Sequence, residues 1–204
     1  DPAVAVDWWG PPVGDSTPRK DAFYSPDLGA RAEIALVRGL TETGLGLWRD
    51  AMERLPGAAA STYIGDPWLD PWALQIQSAA VTAHAYAGRL DLVAQPVERL
   101  RQRLRTLLSG PSRNAMAFPV LGTVLHALGM AGLASGDASA VRTIALAERL
   151  RVLREFQPTM SAARARRVAE DADVAAYVDA VSTYAALGRD ELREAARALS
   201  SGRG

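Results

Sequence analysis

Cysteine is absent from all 204 residues. That excludes disulfide staples, thiolate metal sites and a cysteine nucleophile, and it fits a reducing compartment such as the cytoplasm. Histidine is scarce. His84 and His126 are the only two, and neither sits in an H-x-x-x-H or H-x-x-E spacing, the patterns that bring two ligands to one helix face. Each is expected on a buried helix face, bonded to a neighbour, and no metal site is expected. Lysine is reduced to Lys20, so arginine carries the basic charge. Basic and acidic residues number 23 each, which leaves no positive excess for direct binding of nucleic acid or an anionic membrane surface. Neither a G-x-x-x-x-G-K-[ST] phosphate loop nor a G-x-S-x-G elbow occurs. No catalytic residue and no cofactor are predicted. Asp66 and Asp70 precede prolines and Asp91 follows a turn glycine, positions that capping explains better than paired acid chemistry.

One long run lacks charge, from Ala115 to Ala134. Its length matches a membrane span, but Pro119, Gly122, Gly129, Gly132 and His126 interrupt it, and Arg113 and Asp137 bound it closely. It reads as a helix packed between neighbours, apolar all round because it is buried all round. The small residues in it would let those neighbours approach closely.

What the chain does contain is a repeated junction. Val37-Arg38-Gly39-Leu40-Thr41, Ala87-Gly88-Arg89-Leu90-Asp91, Ala134-Ser135-Gly136-Asp137 and Leu187-Gly188-Arg189-Asp190 each run an apolar helical segment into a glycine and restart beside Thr or Asp. Glycine takes the left-handed conformation that ends a helix, and the following Thr or Asp is expected to cap the next one. The junctions recur about every fifty residues, the mark of a helical repeat array. The predicted fold is all-α: a tetratricopeptide-like right-handed solenoid of antiparallel hairpins. The hairpins fall at about 28–55, 71–108, 115–156 and 161–200. Residues 1–28, rich in Pro, Gly and Asp, form an irregular segment in which Trp8 and Trp9 are expected to pack on the first hairpin. The helical domain is 29–200, and 201–204 should fray. The chain opens on Asp1 without a basic-then-apolar leader and is expected to be a segment of a longer protein.

In stacked hairpins the first helix of each pair lines the concave side. Gln75, Ser78 and Thr82 form a polar stripe at i, i+3, i+7 on an otherwise apolar helix, and Thr123 and His126 repeat it at i, i+3. Buried polar groups need partners or a cavity. These five, with Trp68 and Trp72 at the rim, are the candidate binding groove for a peptide, protein segment or small effector. Arg99, Arg101, Arg103 and Arg105 alternate around their helix and read as a solvated face.

The segments Ala32-Glu33-Ile34-Ala35-Leu36-Val37-Arg38-Gly39, Gly44-Leu45-Gly46-Leu47-Trp48-Arg49-Asp50-Ala51, Leu146-Ala147-Glu148-Arg149-Leu150, Pro158-Thr159-Met160 and Gly188-Arg189-Asp190-Glu191-Leu192 carry a family resemblance over roughly 29–200. The chain resembles the C-terminal tetratricopeptide-like region of actinobacterial SARP/AfsR-type transcriptional regulators and of LuxR-type regulators with a central ATPase. The resemblance implies a cytoplasmic, non-catalytic module that docks a protein or peptide partner, including other domains of its own parent chain, or senses an effector. DNA binding and nucleotide chemistry would lie upstream. A small-molecule-binding helical domain with a closed pocket and a structural or oligomerisation array are the alternatives.

Overall fold

The computed structural model describes residues 26–55, 71–110, 117–155 and 157–201. Among the described residues the chain is all-helical, with eight α-helices packed on one another and no strand. They are α1 Pro26–Val37, α2 Thr41–Glu53, α3 Pro71–Tyr86, α4 Ala94–Ser109, α5 Ala117–Ala134, α6 Ala140–Leu150, α7 Ala162–Ala185 and α8 Arg189–Ser200. Short 3-10 turns stand at Leu90–Val93 and Pro158–Met160. Trp8, Trp9 and Trp68 lie outside the described residues.

Three of the four glycine junctions share one device. Gly39, Gly88 and Gly136 have φ of 76°, 67° and 75°. In each case the glycine N–H and the next N–H bond back to carbonyls three and five residues earlier. Gly39 N bonds Leu36 O at 3.0 Å and Leu40 N bonds Ala35 O at 2.9 Å. Gly88 and Arg89 repeat the pair with Ala85 O and His84 O, as do Gly136 and Asp137 with Leu133 O and Gly132 O. This is the Schellman closure, which satisfies carbonyls at the helix end and reverses the chain. The fourth junction differs. Gly188 is extended (φ −78°, ψ 177°) and is the N-cap of α8, its N–H held by Glu191 Oε2 at 2.7 Å.

The expected capping by Thr41 and Asp91 is not what the turns use. Neither α2 nor the 3-10 turn at Leu90–Val93 has a side-chain cap bond, because their N-cap positions fall on Leu40 and Arg89 and place Thr41 and Asp91 inside the elements. Asp91 takes Arg89 Nε at 3.4 Å instead. Asp137 does act locally, accepting Ser139 N and Oγ at 2.9 Å each.

Packing departs from a plain row of hairpins. α1 pairs with α2 and α5 with α6, but α3 packs chiefly on α5 and α2, and the main contacts of α8 are with α4 and α6. α6 stops at Leu150, short of the expected 156, where Arg151 takes φ 70°. The first helix of the last unit, α7, is bent by a kink at Asp173 (φ −160°, ψ 93°). The Asp173 carboxylate restarts the second half by accepting Ala176 N at 2.9 Å.

Glycine sets the α5–α6 separation. A Cβ on Gly122 would fall 1.9 Å from Arg151 O, and one on Gly129 would fall 2.7 Å from Ile144 Cγ1. Within α5 the lack of charge is thus explained by burial, from Val120 to Ala131 above all, and no described helix is long and apolar enough to cross a membrane. The core divides into two clusters. The larger spans α3 to α8; the smaller joins Leu28, Leu45 and Trp48 to Ala79, Ala80 and Ala83 of α3 and to Met160. α3 serves both.

Candidate functional site

The polar stripe on α3 is buried in the helix stack, not spread on an open face. Gln75 is 4% exposed, and Ser78 and Thr82 are fully buried. Leu74, Val81 and Ala85 belong to the larger cluster and Ala79, Ala80 and Ala83 to the smaller. At helical spacing, Ser78 and Thr82 fall on the strip between them. Gln75 Nε2 donates to Gln157 Oε1 at 3.0 Å, while Ser78 Oγ and Thr82 Oγ1 have no partner. On α5, Thr123 is spent on structure: its hydroxyl donates to Pro119 O at 2.7 Å and accepts Leu153 N at 2.8 Å. Trp72 is the exposed member, with the Arg154 guanidinium 4.6 Å from its ring centroid.

The two histidines part company. His84 Nδ1–H donates to Ala80 O at 2.7 Å and Nε2 accepts the Arg49 guanidinium at 3.3 Å; burial and the cations beside it hold its pKa below the usual value. His126 is buried with Nε2 unpartnered, and burial pushes its pKa down to about 4. Among the described residues no group of His, Asp or Glu could hold a metal ion.

The α3 stripe extends one turn further than the groove residues, to Tyr86, four residues beyond Thr82. Tyr86 opens into a cleft of about 200 Å³ walled by α1, the end of α3, the turn at Pro158–Met160 and the start of α7. Glu33 reaches this cleft from α1. It is 8% exposed; Oε2 accepts Thr159 N at 3.2 Å, while Oε1 is buried without a partner. Burial raises the Glu33 pKa, against the Thr159 hydrogen bonds and the Arg164 charge. The Tyr86 hydroxyl is likewise buried and unpartnered, and burial pushes the phenol up to about 12, so it stays neutral. The Arg164 guanidinium stacks 3.7 Å from the Tyr86 ring centroid. The remaining walls are apolar, with Leu36, Val37, Ala83 and Pro158 among them.

An open groove of about 450 Å³ beside α6 and α7 offers a contrast. Its central carboxylate, Glu148, accepts both Arg166 and the Tyr177 hydroxyl. That acid is consumed by the fold. Glu33 Oε1 and the Tyr86 hydroxyl are not.

Tyr86 carried a legible signal, since it continues the i+3, i+4 stripe. Glu33, an acid followed by Ile34-Ala35-Leu36-Val37, shares its helix with Asp27 and Arg31, so its charge alone did not mark it. Arg164 had none, because its place beside Tyr86 exists only in the folded chain. No family model, curated protein or solved structure matches the sequence.

Proposed function

We propose that the chain is a non-catalytic, effector-sensing module of a larger cytoplasmic transcriptional regulator, its helices stacked in a tetratricopeptide-like right-handed array. One observation carries the sensing role. Glu33 and Tyr86 both line this cleft, and each keeps one buried oxygen without a partner, Oε1 and the hydroxyl, beneath the cleft surface. A buried polar atom without a partner costs about 1–3 kcal/mol, and a ligand that bonds both recovers that cost on binding. The repeat reading is supported by the three Schellman turns, and the regulator reading by the segments around Glu33, Trp48 and Glu148 named above.

The test is thermal unfolding of the chain with pooled small polar compounds, for the wild type, Glu33→Gln and Tyr86→Phe. A ligand at a hundred times its Kd stabilises by about 2.7 kcal/mol, several degrees for a domain of this size. The expected result is a shift that both variants reduce. Pools of every charge class leaving the wild type unmoved, or shifts equal in all three proteins, would overturn the reading.

A second reading, docking of a protein or peptide partner, is favoured by α7. Val174, Val178 and Val181 are 59%, 56% and 41% exposed and fall on one stripe at i, i+4, i+7. Val178→Asp would abolish such docking and leave the unfolding temperature unchanged.

A further inference from the structure

We propose that the cleft between α1, α3 and α7 selects a small zwitterion, an ammonium group a few bonds from a carboxylate, with Glu33 taking the ammonium and Arg164 the carboxylate. The proposal rests on the effector reading above and names the chemistry of the effector.

Four observations converge. Glu33 Oε1 is a buried acceptor with no donor. An ammonium supplies both the hydrogen and the opposite charge that a desolvated carboxylate lacks. Tyr86 lines the same cleft, and its buried, unpartnered oxygen is a second acceptor for that ammonium once the ring tilts toward it. Arg164 holds its guanidinium over the Tyr86 ring and makes no side-chain hydrogen bond or ion pair with a described residue, so its donor fork is open to a carboxylate.

The two charges also exclude simpler ligands. A plain anion of matching shape meets the Glu33 carboxylate. A plain cation meets the Arg164 guanidinium. A neutral molecule leaves both of them without a counter-charge. Size narrows the class further. A cleft of about 200 Å³ suits a small molecule rather than a polymer. Leu36, Val37 and Pro158 in its walls favour a short apolar side chain on the ligand. An aliphatic amino acid is such a molecule.

The experiment is calorimetric titration of the full chain at neutral pH with four probes: L-valine, 4-aminobutyrate, isobutylamine and isovalerate. The first two differ in the separation of their charges, and the last two each lack one charge. One of the zwitterions is expected to bind at one site per chain, with isobutylamine and isovalerate at least tenfold weaker. Arg164→Met changes an exposed side chain. It is expected to cost the zwitterion about tenfold while leaving isobutylamine unchanged or tighter. Glu33→Gln keeps the shape and removes the preference for an ammonium.

Equal affinity for isobutylamine or isovalerate, or no loss in Arg164→Met, overturns the zwitterion and leaves the effector cleft standing. The same holds if none of the four binds but an uncharged or singly charged pool still shifts unfolding through Glu33 and Tyr86. Failure of all four probes together with all pools overturns both.

Discussion

The two ends of the molecule treat buried polarity in opposite ways. Where α8 meets α4, Arg193 is 7% exposed, and its guanidinium donates to Leu107 O, Leu108 O and Gly110 O at 3.3, 2.8 and 2.6 Å. Arg197 adds a bond to Leu108 O at 2.8 Å. These carbonyls stand at the C-terminal end of α4, which no later turn of that helix can satisfy, so one helix caps another across the fold. Around α1, α2, α3 and α5, in contrast, Glu33, Trp48, Gln75, Ser78, Thr82, Tyr86 and His126 each keep a buried atom without a partner. The comparison teaches that buried polar groups here are of two kinds. One kind holds helices together. The other is carried by the fold as a cost.

Substitutions can break or sharpen that division. The largest effect is expected at Gly122→Ala on the α5–α6 face, where the new Cβ meets the Arg151 carbonyl. Overpacking against backbone at that range should cost about 4 kcal/mol in denaturant unfolding. Arg193→Met keeps much of the volume but strips the α4 carbonyls of their donor, and about 3 kcal/mol should be lost. A loss under about 1 kcal/mol would remove the cross-helix cap from the comparison.

Acid should act through the other end. The folded-state pKa of His126 is about 4, below the unfolded value of about 6.5. Its contribution is therefore complete above pH 6.5, falls as the pH drops from 6.5 to 4, and is constant below that. The full loss amounts to about 3 kcal/mol. His84, also lowered, adds to the fall, while Glu33, raised, opposes it. Unfolding of His126→Gln at pH 7 and pH 4.5 should show a smaller drop than the wild type.

The smallest effect has the opposite sign. Thr82→Val replaces an unpartnered hydroxyl by a methyl of the same shape and should stabilise by about 1 kcal/mol. A destabilisation of that size would mean that the hydroxyl is satisfied in solution, which would place Thr82 with the holding kind.

Much of the fold was legible in the chain. Gly39, Gly88 and Gly136 mark their turns because only a left-handed residue completes the Schellman pair without strain. Gly188 copies the letters but not the physics: there a carboxylate, Glu191, closes the helix start. The burial of α5 was readable from its missing charges. The departure of α8 from its hairpin partner was not, since it depends on Arg193 reaching a helix end 83 residues earlier in the chain. The candidate site divides in the same way. Gln75, Ser78 and Thr82 were visible as a periodic stripe, yet the stripe alone does not say whether it faces solvent or a neighbouring helix. The cleft needs Glu33 beside Thr159, 126 residues apart, and local pattern has no access to that distance.

Helix α3 is walled by both clusters along its length and ends in Tyr86. It is a stiff rod of 16 residues, about 24 Å long, with the cleft at one tip and Pro71–Trp72 at the other. One rod, packed by both clusters, thus joins the phenol in the cleft wall at one tip to an exposed indole at the other.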